Sequence, residues 1–184
     1  MTTFLIILAV IAVLTVIYVI AGYNGLVSKR NKVANSWSQI DVQLKRRFDL
    51  IPNLVETVKG YAAHEKDTYE SVIRARNSYM SASSHQDVIK ATNELSRGLS
   101  RLMVLAESYP DLKANSNFQE LMKELTKTED KIAFARQFYN DVVMDYNNSI
   151  QMFPKNILAN AFNFMEEPFF TIDGNETKAP EVKF

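Results

Sequence analysis

The chain has 184 residues, 47% of them hydrophobic, with Lys plus Arg totalling 21 and Asp plus Glu totalling 21. This length suits one domain with a real core, and the balanced charge gives no overall attraction for nucleic acid. Cysteine is absent, which excludes disulfides, thiolate metal sites and a cysteine nucleophile and leaves the redox state of the compartment undetermined.

The amino terminus is apolar. From Phe4 to Ala21 every residue is apolar except Thr15 and Tyr18, and no charged side chain precedes Lys29. Such a run makes roughly 27 Å of helix at 1.5 Å per residue, about the thickness of a bilayer's hydrocarbon core. A buried core helix competes poorly, because it would carry a polar face. A cleaved signal peptide also competes: Val19-Ile20-Ala21 is an acceptable cleavage site, but Met1-Thr2-Thr3 lacks the positive n-region. Lys29, Arg30 and Lys32 follow, with no acid before Asp41. By the positive-inside rule that flank stays cytoplasmic and the short amino terminus faces outward. Residues 1–28 therefore read as a transmembrane signal-anchor and hinge. Gly22 and Gly25 loosen the helix there, each unfavourable by on the order of 1 kcal/mol relative to alanine.

Residues 29–153 read as an antiparallel bundle of four long helices in an all-α fold. Val33, Trp37, Ile40, Leu44, Phe48, Ile51, Leu54, Val58 and Tyr61 recur at steps of three and four, the spacing of a helix with one buried stripe. Pro52 interrupts it. The spacing predicts two helices joined at a corner, with Asp49 as cap and Pro52 in the new first turn; one proline-kinked helix is the alternative. If helix continues from the anchor to Phe48, anchor and first bundle helix form a rod. The second helix is expected from about Leu50 to Ala82, and SASSHQ at Ser81–Gln86 is a polar corner. The third repeats at Val88, Thr92, Leu95, Leu99, Leu102, Ala106 and Tyr109 and ends at Pro110-Asp111. Ser116 with Gln119 makes a capping box for the fourth. Its heptad runs through Phe118, Leu121, Leu125, Thr128, Ile132, Ala135, Tyr139, Val142, Tyr146, Ser149 and Phe153, until Pro154 stops it.

Residues 154–184 form an aromatic-rich tail. Ile157, Leu158, Ala161 and Phe162 suit a short amphipathic turn; Phe164, Phe169, Phe170 and Ile172 follow around Pro168; Asp173-Gly174-Asn175 is a turn; Ala179 to Phe184 reads as extended. The aromatics either close one end of the bundle or offer a contact surface to a membrane, a partner or a second copy.

WSQIDVQLKRRFDLIPNLVETVKGYAAHE (from Trp37), YPDLKANSNFQELMKELTKTEDKIAFARQFYNDVVMDYN (Tyr109–Asn147), Phe153-Pro154 and Pro180–Phe184 together resemble the LemA family of bacterial membrane-anchored helical proteins. The resemblance covers most of the chain after Gly22. It implies a helical-bundle domain on one membrane anchor. That family has no assigned enzymatic reaction and includes a member tied to magnetosome membrane formation.

Candidate chemistry is sparse. Neither His64 nor His85 completes a Glu-x-x-His metal set, His64-Glu65-Lys66-Asp67-Thr68 lacks a second histidine, and no P-loop or G-x-S-x-G elbow occurs. The chain reads as a non-enzyme without metal or cofactor. Lys45-Arg46-Arg47 is the strongest charge feature. It reads either as a helix C-terminus suited to cations, with Asp41 pairing to Lys45, or as a contact for anionic lipid or an acidic partner. A polar set (Asn35, Gln39 and Gln43 beside Arg136, Asn140, Asp141 and Asn147) is expected either to fix helix register or to be a solvated flank. The interaction candidates are Lys45, Arg46, Arg47, Asp49, Pro52, Phe164, Phe169 and Phe170. The expected function is a membrane-anchored scaffold that self-associates on the lipid bilayer, or an adaptor for another membrane protein such as a protease or signalling component.

Overall fold

The structure is a computed structural model that describes residues 1–171. The expectations for Ile172, for Asp173-Gly174-Asn175 and for Ala179–Phe184 lie outside the described residues. Within them the chain is all-α: α1 Thr2–Tyr61, α2 Lys66–Met80, α3 His85–Glu107, α4 Pro110–Ala114, α5 Ser116–Gln151 and α6 Lys155–Ala161.

The corner expected at Asp49 does not form. α1 runs unbroken for 60 residues with Pro52 in its interior, so anchor and first bundle helix are one element. An internal proline costs about 3 kcal/mol. Phe48, Ile51, Leu54, Val55 and Val58 are all buried around it, and each such side chain contributes roughly 1.5–3 kcal/mol, so burial of the stripe prevails. The break falls later, at residues 62–65. There Gly60 weakens the helix, Tyr61 and His64 turn outward, and the stripe fades. Ala62 donates the last backbone bond to Val58 (2.8 Å) before Glu65 starts α2.

The chain divides into two compact units, Met1–Gln39 with Gln137–Phe169, and Ile40–Arg136 with the residues from Phe170. α1 and α5 contribute to both.

The second unit is the antiparallel four-helix bundle, built from α1, α2, α3 and α5. Arg47 meets Glu129 and Tyr61 meets Asn115, so partners descend along α5 as they ascend along α1. Tyr79 donates to Asp41 (2.9 Å) and stacks on Phe48 (centroids 4.0 Å apart), which sets α2 against α1. Burial and the Asp41 and Asp49 carboxylates push the Tyr79 phenol well above its usual range. α2 crosses α3 closely: a Cβ on Gly98 would stand 3.0 Å from Val72 Cγ2. The Ser81–Gln86 corner holds a reciprocal cap, in which Ser84 accepts from the Asp87 N–H (3.1 Å) and donates to its carboxylate (2.7 Å). That contact lowers the Asp87 pKa. The cap of α5 is Asn115 rather than Ser116, since its side chain accepts from the Phe118 N–H (3.0 Å).

In the first unit α5 packs against the amino-terminal part of α1. Lys29 pairs with Asp145 at 2.6 Å, and Trp37 meets the edge of Tyr139 at 5.3 Å. Gly22 is a contact point, not a hinge: a Cβ there would sit 2.5 Å from Leu158 Cδ1 of α6, and helix continues through it. α6 ends in a Schellman motif. Asn163 takes the left-handed conformation (φ 55°) while Phe164 donates to the Ala159 carbonyl at 2.9 Å. That reversal sends the following segment back along α5.

The strict heptad of α5 drifts. Val143 and Ile150 are buried beside Tyr146, where Val142 was expected, and Phe153 is 80% exposed past the helix end. A straight helix drifts about 20° per heptad, so the stripe moves by one residue. Small polar residues in the core supply their own partners: Thr92, Thr128 and Ser149 donate to Val88, Glu124 and Asp145 carbonyls (2.7–2.8 Å).

Candidate functional site

The eight residues singled out from the sequence do not form one site. Lys45, Asp49 and Pro52 are exposed along α1, and Arg46 makes an exposed pair with Glu124 at 2.8 Å. Lys127 and then Arg46 hold the Glu124 carboxyl below the usual range. Arg47 is a correction to both readings of the basic run. No helix ends there, and the side chain is buried rather than offered to lipid or partner. Position 47 lies three residues after Leu44 and four before Ile51, on the edge of the buried stripe. That spacing was visible in the sequence, but the three adjacent cations disguised it.

Arg47 forms the floor of a cleft of about 350 Å³ between α3 and α5 in the four-helix unit. Its Nε pairs with the Glu129 carboxylate at 2.5 Å, and its guanidinium donates to Ser96 Oγ at 2.9 Å. Thr92 and Asn93 complete the polar floor, while Leu99, Met103, Met122 and Leu125 give an apolar wall. Phe170 closes one side and is itself buried, with Asn93 donating to the next residue's carbonyl, Thr171, at 3.4 Å. Val104 and Phe134 do not line the cleft and stand 72% and 75% exposed elsewhere on α3 and α5. The floor holds a fixed ion pair, and Met103 stands half-exposed on the apolar wall.

The tail aromatics divide. Phe164 is buried in the first unit, with Arg30 over its ring at 5.2 Å, and Phe170 is buried in the second. Neither presents a contact surface; Phe169 remains half-exposed. α5 holds the segment Phe164–Phe169 through groups that sequence reasoning placed elsewhere. Tyr139 donates to the Pro168 carbonyl and Tyr146 to the Met165 carbonyl, both at 2.9 Å. Asn147, expected to register helices, instead brackets the Glu167 backbone, donating to its carbonyl (2.9 Å) and accepting from its N–H (3.0 Å). Burial and the Glu167 charge push the Tyr139 phenol up to about 12. Polar residues at core heptad positions were the available signal for this strap.

Among the described residues no group of three or more His, Asp or Glu side chains is arranged to hold a metal ion. α1 contains an 18-residue stretch long and apolar enough to cross a membrane, and none of it is buried within the chain. Fold and cleft together define an all-α helical-bundle protein whose amino-terminal helix suits membrane association.

The chain belongs to the LemA family, whose profile matches residues 36–184. It is 26% identical to magnetosome protein MamQ 2 of Paramagnetospirillum magneticum, over 89% of this chain and 71% of that one. It is also 26% identical to protein LemA of Metamycoplasma hominis (80% of this chain, 68% of the other). Magnetosome protein MamQ of Magnetospirillum gryphiswaldense is 24% identical, over 80% and 64% respectively.

Proposed function

We propose that this chain is a single-pass, membrane-anchored interaction protein, without an enzymatic reaction, that self-associates and thereby organises its membrane. The observation that carries this reading is the α3–α5 cleft: Met103 stands exposed on an apolar wall shared with Leu99, Met122 and Leu125, beside a floor whose charges pair internally. Apolar surface left open to solvent in a cleft marks contact with another macromolecule. A groove between two helices with an apolar wall accepts the apolar face of a third helix. The occupant is supplied by a second copy. Lys29, Arg30 and Lys32 after the apolar stretch favour a cytoplasmic bundle and an external amino terminus. Kinship with proteins named for the magnetosome agrees with a role on membranes.

The test is the mass of the full chain in lipid bilayers, beside Met103→Glu and a form starting at Lys29. Multimers of the intact chain that Met103→Glu disperses are the expected result. A monomeric intact chain would refute self-association and leave crosslinking in cells to find another membrane protein in the cleft.

A further inference from the structure

The turn between α5 and α6 has a composition that neither the bundle nor the anchor explains. Met152, Phe153 and Ile157 are exposed there, and Met165 beside it is 80% exposed. Four large apolar side chains so placed around one corner are unfavourable in water.

The corner's position supplies the reason. Lys29 pairs with Asp145, and α5 runs antiparallel to α1 in this unit. At 1.5 Å per residue, Gln151 at the end of α5 lies about 9 Å beyond Asp145 and comes level with Tyr23, two residues past the apolar stretch, and Phe153 follows in the turn. The contact of α6 Leu158 with Gly22 places α6 at the same level independently. Tyr23 meets the edges of Phe162 (4.9 Å) and Phe164 (5.8 Å), an aromatic cluster of the kind that settles at headgroup depth. Lys155 is exposed within the same corner, where an ammonium can reach lipid phosphate.

We infer that the α5–α6 corner is a second membrane contact: a foot whose Met152, Phe153 and Ile157 insert into the lipid interface beside the end of the α1 span. The inference rests on the anchoring reading, since it takes the bilayer edge from α1. α6 lies beside Gly22 and Tyr23 at the end of the span, so a bilayer that covers the span reaches the foot as well. A second copy of the chain is the competing occupant.

The absence of cysteine makes any introduced thiol unique. The full chain, carrying a nitroxide label at Phe153→Cys, Ile157→Cys, Val13→Cys or Met80→Cys, is placed in vesicles of phosphatidylcholine and phosphatidylglycerol. Collisions with oxygen, enriched in hydrocarbon, are compared with collisions with a water-soluble nickel chelate. Labels at Phe153 and Ile157 are expected to show an oxygen-to-nickel ratio severalfold above Met80 and below Val13. Ratios equal to that at Met80 overturn the foot, and so does loss of both collision rates, which marks cover by protein. Val13 separates the two readings. A lipid-buried Val13 with a wet corner removes the foot alone; a wet Val13 removes the anchor and with it the foot as a second contact beside the span, whatever the corner reads.

Discussion

The Arg47–Glu129 pair predicts an unequal response to losing either partner. The Arg47 side chain is 3% exposed and that of Glu129 41%. Glu129→Ala leaves a guanidinium out of water with the Ser96 hydroxyl still beside it. Breaking a fully buried pair costs about 3–5 kcal/mol, and partial access of water at Glu129 reduces this to about 2 kcal/mol. Arg47→Met keeps the aliphatic stem that packs against the core and leaves a carboxylate that water can reach, so it costs about 1 kcal/mol or less. For a chain of this size 1 kcal/mol corresponds to about 2–4 °C in Tm. The assay is thermal unfolding in detergent micelles, followed by helical circular dichroism. Glu129→Ala is expected to lower Tm by about 4–8 °C, Arg47→Met by about half that or less, and the double variant to match Arg47→Met. If Arg47→Met proves the more damaging single change, desolvation of the cation is not the governing cost and the reasoning is refuted.

Three further predictions concern the strap and the proline. Tyr139 has its phenol raised to about 12, so its contribution is complete below the ordinary tyrosine pKa, near 10, and is lost as pH rises through about 12. Absorbance titration should show late-ionising phenols, one of which disappears in Tyr139→Phe; completion of every phenol near 10 in the folded chain would count against this. Asn147→Ala removes both bonds to the Glu167 backbone, each worth about 1 kcal/mol, and should speed hydrogen exchange at Glu167. Unchanged exchange there would mean that the tyrosines alone hold the strap. Pro52→Ala restores a donor to the Phe48 carbonyl and is expected to raise stability by about 1–3 kcal/mol, read as an increase in Tm. A fall in Tm would show that the surrounding core is fitted to the proline ring.

Much of the fold was legible because apolar spacing reports directly on which face of a helix is buried. Leu44, Phe48, Ile51, Leu54 and Val58 in α1, and Leu95, Leu99 and Leu102 in α3, are buried where the pattern placed them. The apolar amino-terminal stretch and the family resemblance were equally plain. Helix ends were less so. A cap is decided by which of several competent side chains reaches the free N–H, and at α5 Asn115 does so one residue before Ser116.

The sequence by itself determined the all-α class, the apolar span and most core positions, because these depend on periodicity and composition along a single element. Tertiary structure alone decided whether α1 survives Pro52, because that outcome weighs a local loss against burial supplied by other helices. It alone decided the fate of the basic run, where Arg46 stays at the surface and Arg47 goes beneath α3 and α5. It also turned Tyr139 and Tyr146 from core heptad residues, and Asn147 from a polar flank residue, into clamps on a strap, and brought the α5–α6 corner level with the end of the apolar stretch. Each of these depends on residues far apart in the chain, and local spacing carries no record of which distant backbone carbonyl or side chain will stand opposite.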